Sequence, residues 1–141
     1  MKGINVARWL SGGLVAGLII WVIEGAGTLL YWKDLQAAMV AHDLSMQMGV
    51  GVAVIGIVVS LIVGLTLVFF YAAARPRFGP GPRTAGLVGV ALWAGVYVVS
   101  LMGYQMLGLF PASMLVVWGV VGLVEMILAS IAGAWVYREA P

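Results

Sequence analysis

Cysteine is absent from the 141 residues. That excludes a disulfide framework, a thiolate metal site and a cysteine nucleophile. Charge is nearly as scarce. Charged residues make up 9% of the chain, against about 25% in a soluble globular domain. Hydrophobic residues make up 64%, where roughly 45–50% is usual. Mean hydropathy is +1.14. A small chain has much surface for its volume, and so few charges cannot cover it in water. A soluble enzyme, a nucleic-acid-binding domain and a disordered chain are excluded. The composition is that of an integral membrane protein.

A membrane-spanning helix needs about 20 mostly apolar residues. Four runs meet this: 10–32, 49–71, 85–110 and 112–137. Barrel strands would alternate in segments of about ten residues, and these runs do not. The expected fold is all-α, a four-helix transmembrane bundle in a single domain over 1–141.

The few basic residues set the orientation. Lys2, Arg8, Arg75, Arg77, Arg83 and Arg138 fall on one side, and Lys33 alone on the other. Lysine and arginine stay cytoplasmic, so both termini and the second loop are expected inside. The first apolar run is longer than a signal-peptide core and lacks a small-residue cleavage site. It reads as an uncleaved span. Trp9, Tyr31, Trp32, Tyr71, Trp135 and Tyr137 stand at the expected helix ends, where aromatic rings favour the membrane–water interface.

The loops carry further signals. Residues 33–48 have room for an interfacial helix, with Asp34 as its N-cap and Leu35, Ala38, Met39 and His42 on one face. Residues 72–84 hold Pro76, Gly79, Pro80, Gly81 and Pro82, which predict a stiff turn. Pro111 is expected to end the third helix. Gly13-Leu14-Val15 and Gly86-Leu87-Val88 open the first and third spans alike, a faint echo of two parallel hairpins.

The chain has 20 glycines. In lipid, small residues three or four apart let helices approach closely. Gly13, Gly17, Glu24 and Gly27 form such a stripe in the first span. Gly49, Ala53, Gly56, Ser60 and Gly64 form one in the second, and Gly122, Glu125, Ala129 and Gly133 one in the fourth. The two glutamates therefore point at other helices.

Glu24 and Glu125 are the sharpest chemical signal. A carboxylate at the bilayer centre costs about 2.5–3.5 kcal/mol on insertion scales. No lysine or arginine lies at matching depth. Burial without a cation favours the neutral acid, so at least one of the two is expected to hold a proton. Such a group can exchange it when a ligand arrives. The bland alternative is a pair of neutral acids hydrogen-bonded between helices. Thr28, Gln47, Ser100, Tyr104 and Gln105 in the outer half, with Tyr97 nearer the middle, would line a cavity beside Glu24 or serve only as interhelical hydrogen bonds.

His42 is the sole histidine. It cannot supply bis-histidine haem ligation within one chain, and no thiolates complete a zinc site. No metal and no cofactor is expected, although haem held through one ligand or between chains, or a pigment, stays open. No serine–histidine–acid triad can be assembled. Prolines flank Gly79 and Gly81 and remove the backbone donors a phosphate needs. The chain is expected not to be an enzyme. Arg75, Arg77 and Arg83 are adequately explained as topology signals.

The segment YAAARPRFGPGPRTA, Tyr71 to Ala85, resembles a signature of small, uncharacterised four-helix bacterial membrane proteins. The run Ala132 to Glu139 is similar to the same group. That resemblance implies a bacterial inner membrane and four helices, and supplies no activity. Locally, Glu24-Gly25-Ala26-Gly27-Thr28-Leu29 is similar to the first helix of small multidrug resistance transporters. That likeness implies a proton-coupled exchanger with Glu24 as the exchanging group. The strong loop charge bias, the Pro/Gly loop and Glu125 depart from that family.

Two functional expectations follow. One is a non-enzymatic structural or accessory subunit of a larger membrane complex, or a homo-oligomer, whose partners are the bilayer, other membrane subunits or itself, and no nucleic acid. The other is a small proton-coupled transporter or carrier of a lipophilic ligand that uses Glu24 and Glu125.

Overall fold

The structure, a computed structural model, describes residues 4–45 and 49–137. Lys2, Gln47, Met48, Arg138 and Glu139 lie outside them. Four helices are long and apolar enough to cross a membrane, and no strand occurs among the described residues.

Helix α1 spans Val6–Leu30. It begins ahead of the apolar run because Asn5 caps it, its side chain accepting from the Arg8 N–H at 3.1 Å. Helix α2, Trp32–Val40, follows almost without a break. The Tyr31 N–H donates to Gly27 O at 3.2 Å and the Leu35 N–H to Tyr31 O at 3.0 Å. Backbone continuity thus satisfies the start of α2, and Tyr31 occupies the cap. Asp34 is not the N-cap. It sits in the first turn, where a negative charge suits the helix dipole.

Helix α3 runs Val50–Phe78 and corrects the expected turn over 72–84. Proline removes one helical hydrogen bond but its fixed φ is compatible with a helix, and Pro76 falls in the last turn, which survives that loss: the Gly79 N–H still donates to Arg75 O at 2.9 Å. The turn shrinks to Gly79–Gly81. Gly79 and Gly81 have φ of 82° and 123°, values that side chains rarely adopt. Pro82 then opens helix α4, Pro82–Leu92, at the position that suits proline. A six-residue π segment, Trp93–Val98, and helix α5, Val99–Leu107, complete the third span. Left-handed Gly108, φ 67°, ends it. Pro111 does not; it stands at the cap of helix α6, Ala112–Val136.

The bundle packs unevenly along its length. Towards the Gly79–Gly81 turn, backbones meet directly. A Cβ on Gly64 would collide with the Gly13 and Gly17 backbones, and one on Gly12 would lie 2.6 Å from Gly133 O. Gly89 does the same against Met126 O at 2.8 Å. Leu67, Val68, Met126 and Ala129 fill the core between these contacts. Towards α2 the packing loosens. The α3 stripe engages only from Ser60 onward: no residue of α3 before it is buried. Gly49 faces open space, and Gly56 has only the Trp21 ring near it. Helix α5 has no buried residue.

Two of the expected interfacial tyrosines are buried instead. Tyr71 is 3% and Tyr137 2% exposed. Their rings pack edge to face at 6.1 Å. The Tyr71 hydroxyl accepts from the Gly81 N–H at 3.1 Å, and the Tyr137 hydroxyl from the Asn5 N–H at 3.4 Å. These tyrosines hold the turn and the start of α1 to the core. Trp135 stays outside.

Candidate functional site

Each chemical group comes from a different helix. Glu24 lies nearly two turns from the end of α1. Glu125 lies in the middle of α6 and is 0% exposed. Tyr97 projects from the π segment between them. Two contacts fix that segment. The Trp93 indole donates to Gly119 O at 2.8 Å. The Tyr97 ring lies where a Cβ on Gly122 would be, 2.5 Å from its Cε1. Gly122 therefore admits the ring, rather than a helix backbone.

The Tyr97 hydroxyl is hydrogen-bonded to Glu24 Oε1 and lies 3.0 Å from Glu125 Oε1. One phenol bridges both carboxyls. A hydroxyl has a single proton to donate. With both carboxyls ionised, only one of the two contacts is a hydrogen bond. With one carboxyl protonated, both are, because the acid donates to the phenol oxygen while the phenol donates to the other carboxylate. A single proton shared between the carboxyls would satisfy both contacts. Glu125 Oε2 is buried and has no hydrogen-bond partner among the described residues.

The bridge lines a cavity of 520 Å³ in the loosely packed half. Of the residues predicted from sequence, Glu24, Glu125, Thr28, Tyr97, Ser100 and Tyr104 all line it. Gln105 does not; it is exposed and outside the wall. The Ser100 hydroxyl donates to Val96 O of its own helix at 2.6 Å, not across helices. Tyr31, Ser60 and Trp118 also line the cavity. Sequence reasoning placed Tyr31 in the aromatic belt and Ser60 in a packing stripe, and passed over Trp118. No lysine, arginine or histidine lies in the wall.

A second cleft of 770 Å³ lies between α2 and the turn before α6. It holds Asp34 and exposed His42, and shares Tyr31 and Trp118 with the inner cavity. The Tyr31 and Trp118 rings, 6.0 Å apart, divide the two. No cluster of histidine and acidic residues that could hold a metal occurs among the described residues. Neither family models nor curated proteins nor solved structures give a match to this chain.

Proposed function

We infer that this protein is a small proton-coupled carrier of a lipophilic ligand, with Glu24, Tyr97 and Glu125 as its exchange site. The observation that carries the reading is the single phenol bridging two carboxyls in the wall of an intramembrane cavity. Such a wall has three properties that suit a ligand bearing positive charge. Its ionisable groups are acidic or phenolic. No basic group competes for them. Tyr31, Tyr97, Tyr104 and Trp118 bring aromatic rings to the wall, the groups that attract a cation. A cation that settles beside the bridge displaces its proton, and the returning proton displaces the cation. Coupling needs no other titrating group.

The reading extends to placement. The strong bias of lysine and arginine supports an orientation with both termini in the cytoplasm. The loop and C-terminal resemblances support a bacterial inner membrane. No catalytic constellation argues for an enzyme.

Tetraphenylphosphonium, a bulky lipophilic cation, tests the reading. Added to the detergent-purified protein in weak buffer, it is expected to bind and to release protons. Glu24→Gln and Glu125→Gln should each suppress the release while elution volume stays unchanged. Unaltered proton release in both variants would overturn the exchange site. The second reading, an accessory subunit or homo-oligomer, is favoured by Gly86, Gly95 and Gly103, which face open space. Co-migration with a large complex on a native gel would support it.

A further inference from the structure

The cavity wall is not closed on all sides. Residues contributed by α1 and α6 are mostly buried or half-buried, but four contributed by α3, the π segment and α5 are exposed. Val59 is 53%, Val96 45% and Tyr104 39% exposed, and Ser100 is exposed as well. Each still lines the cavity. A residue that faces both a cavity and the outside marks a rim. Helix packing places the gap. Helix α3 packs on α1, α4 and α6, while α5 packs on α6 and the π segment. No packed side-chain core joins α3 to α5: the first ten residues of α3 and all of α5 contribute no buried residue.

The depth of this gap decides what medium it meets. At 1.5 Å per residue, Val59 lies about 13 Å below the start of α3, and Ser100 about 10 Å below the end of α5. The hydrocarbon core is about 30 Å thick. Both rims are therefore inside it. Around them the outer surface is apolar: Val54, Ile55, Val58 and Val99 are all exposed. Towards the α2 end the route is different. There Tyr31 and Trp118 stand between the cavity and the outer cleft.

The geometry points to a lateral portal: ligand reaches the Glu24–Tyr97–Glu125 site from the bilayer, between the outer halves of α3 and α5, and not from water. This rests on the exchange-site reading and specifies its substrate class. The ligand is an amphiphile that partitions into the membrane, with an apolar body that passes between Val59 and Val96 and a head that reaches the carboxyls. Val59 is the rim residue of α3: it lines the cavity and is exposed, so a larger side chain there would obstruct the opening.

Carbodiimide labelling tests the route without a ligand or transport. Carbodiimides add to protonated carboxyls. Dicyclohexylcarbodiimide dissolves in the bilayer; its dimethylaminopropyl analogue is confined to water. The protein in liposomes is treated with each reagent over a range of pH and mapped by peptide mass spectrometry. The expected result is that the lipophilic reagent modifies Glu24 or Glu125, while the water-soluble one modifies neither and reaches only carboxyls outside the spans, such as Asp34, Asp43 and Glu139. Val59→Phe should reduce the lipophilic labelling to the level of the Glu24→Gln/Glu125→Gln double variant. Ser100→Phe, on the opposite rim, should do the same and carries the test where Val59→Phe fails to accumulate. Three outcomes would each overturn the portal. They are labelling of Glu24 and Glu125 by the water-soluble reagent at an equal rate, full lipophilic labelling in both rim variants, or no lipophilic labelling at any pH in protein whose Glu24 and Glu125 label once unfolded. A portal confirmed in this way stands even if tetraphenylphosphonium releases no proton, so the two readings fail separately.

Discussion

At the scale of single residues, one hydroxyl matters most. Tyr97 makes two carboxyls from distant parts of the chain share one hydrogen-bonding system. Tyr97→Phe keeps the ring against Gly122 and removes only the bridge. Losing a buried hydrogen bond costs about 1–3 kcal/mol where a partner is left unsatisfied. The expected outcome is a folded protein with a modestly lowered melting temperature in detergent and no proton release on tetraphenylphosphonium binding. Gly122→Ala approaches the same bridge from the other side. Its Cβ would occupy the space of the Tyr97 ring, so the ring must move. Overpacking of this kind costs about 1–3 kcal/mol. If Gly122→Ala leaves both the melting temperature and the proton release unchanged, Tyr97 does not hold its position through Gly122. Glu24, Glu125 and Tyr97 were legible in the sequence because an ionisable residue inside an apolar run has few reasons to be there. Their meeting was not. Lipid-facing and core-facing positions are equally apolar here, and the small-residue stripes show which face of a helix meets another helix but not which helix it meets or in what register.

At the scale of elements, the existence of the spans was legible and their ends were not. Length and apolarity define a span. The ends depend on single backbone choices. Pro76 is tolerated in the last turn of α3, and Gly108, not Pro111, ends α5. The π segment had no signal in the sequence, since Trp93 to Val98 reads as ordinary apolar helix. Yet it sets the direction of Tyr97. A π segment behaves as a helix carrying an extra residue, often at a functional site. Deleting Gly95, which faces open space, should turn the segment into ordinary α-helix, so that α5 keeps its orientation against α4 while the side chains of the segment itself are re-aimed. The expected consequence is loss of the Tyr97 bridge with the inner half intact, read as lost proton release with unchanged helical circular dichroism. The glycine contacts belong to the same scale. Gly64→Ala pushes a methyl into the α1 backbone, and should lower the melting temperature well beyond Gly25→Ala, whose Cβ would meet nothing within 4 Å.

For the molecule as a whole, the division into a tight half and an open half governs how it can move. Around the Gly79–Gly81 turn, glycine contacts and the Tyr71–Tyr137 pair hold four spans together. Around α2, neither the start of α3 nor α5 has buried side chains. Segments with few buried contacts open at low free energy, so the site sits at the boundary between a fixed and a yielding half. That arrangement suits a carrier, because ligand entry can part α3 and α5 while the far end acts as a hinge. Amide hydrogen exchange on the protein in nanodiscs reads this directly. Residues 60–72 of α3 and 126–134 of α6 are expected to exchange slowly. Residues 50–59 and all of α5 should exchange faster, despite lying in the same spans. Tetraphenylphosphonium should slow exchange in 50–59 and α5 only, since those are the walls that close on it. Uniform protection along α3, or an effect of the cation confined to the Gly79–Gly81 end, would mean that the loosely packed half is static and that the cavity between α3 and α5 is a packing gap rather than a path.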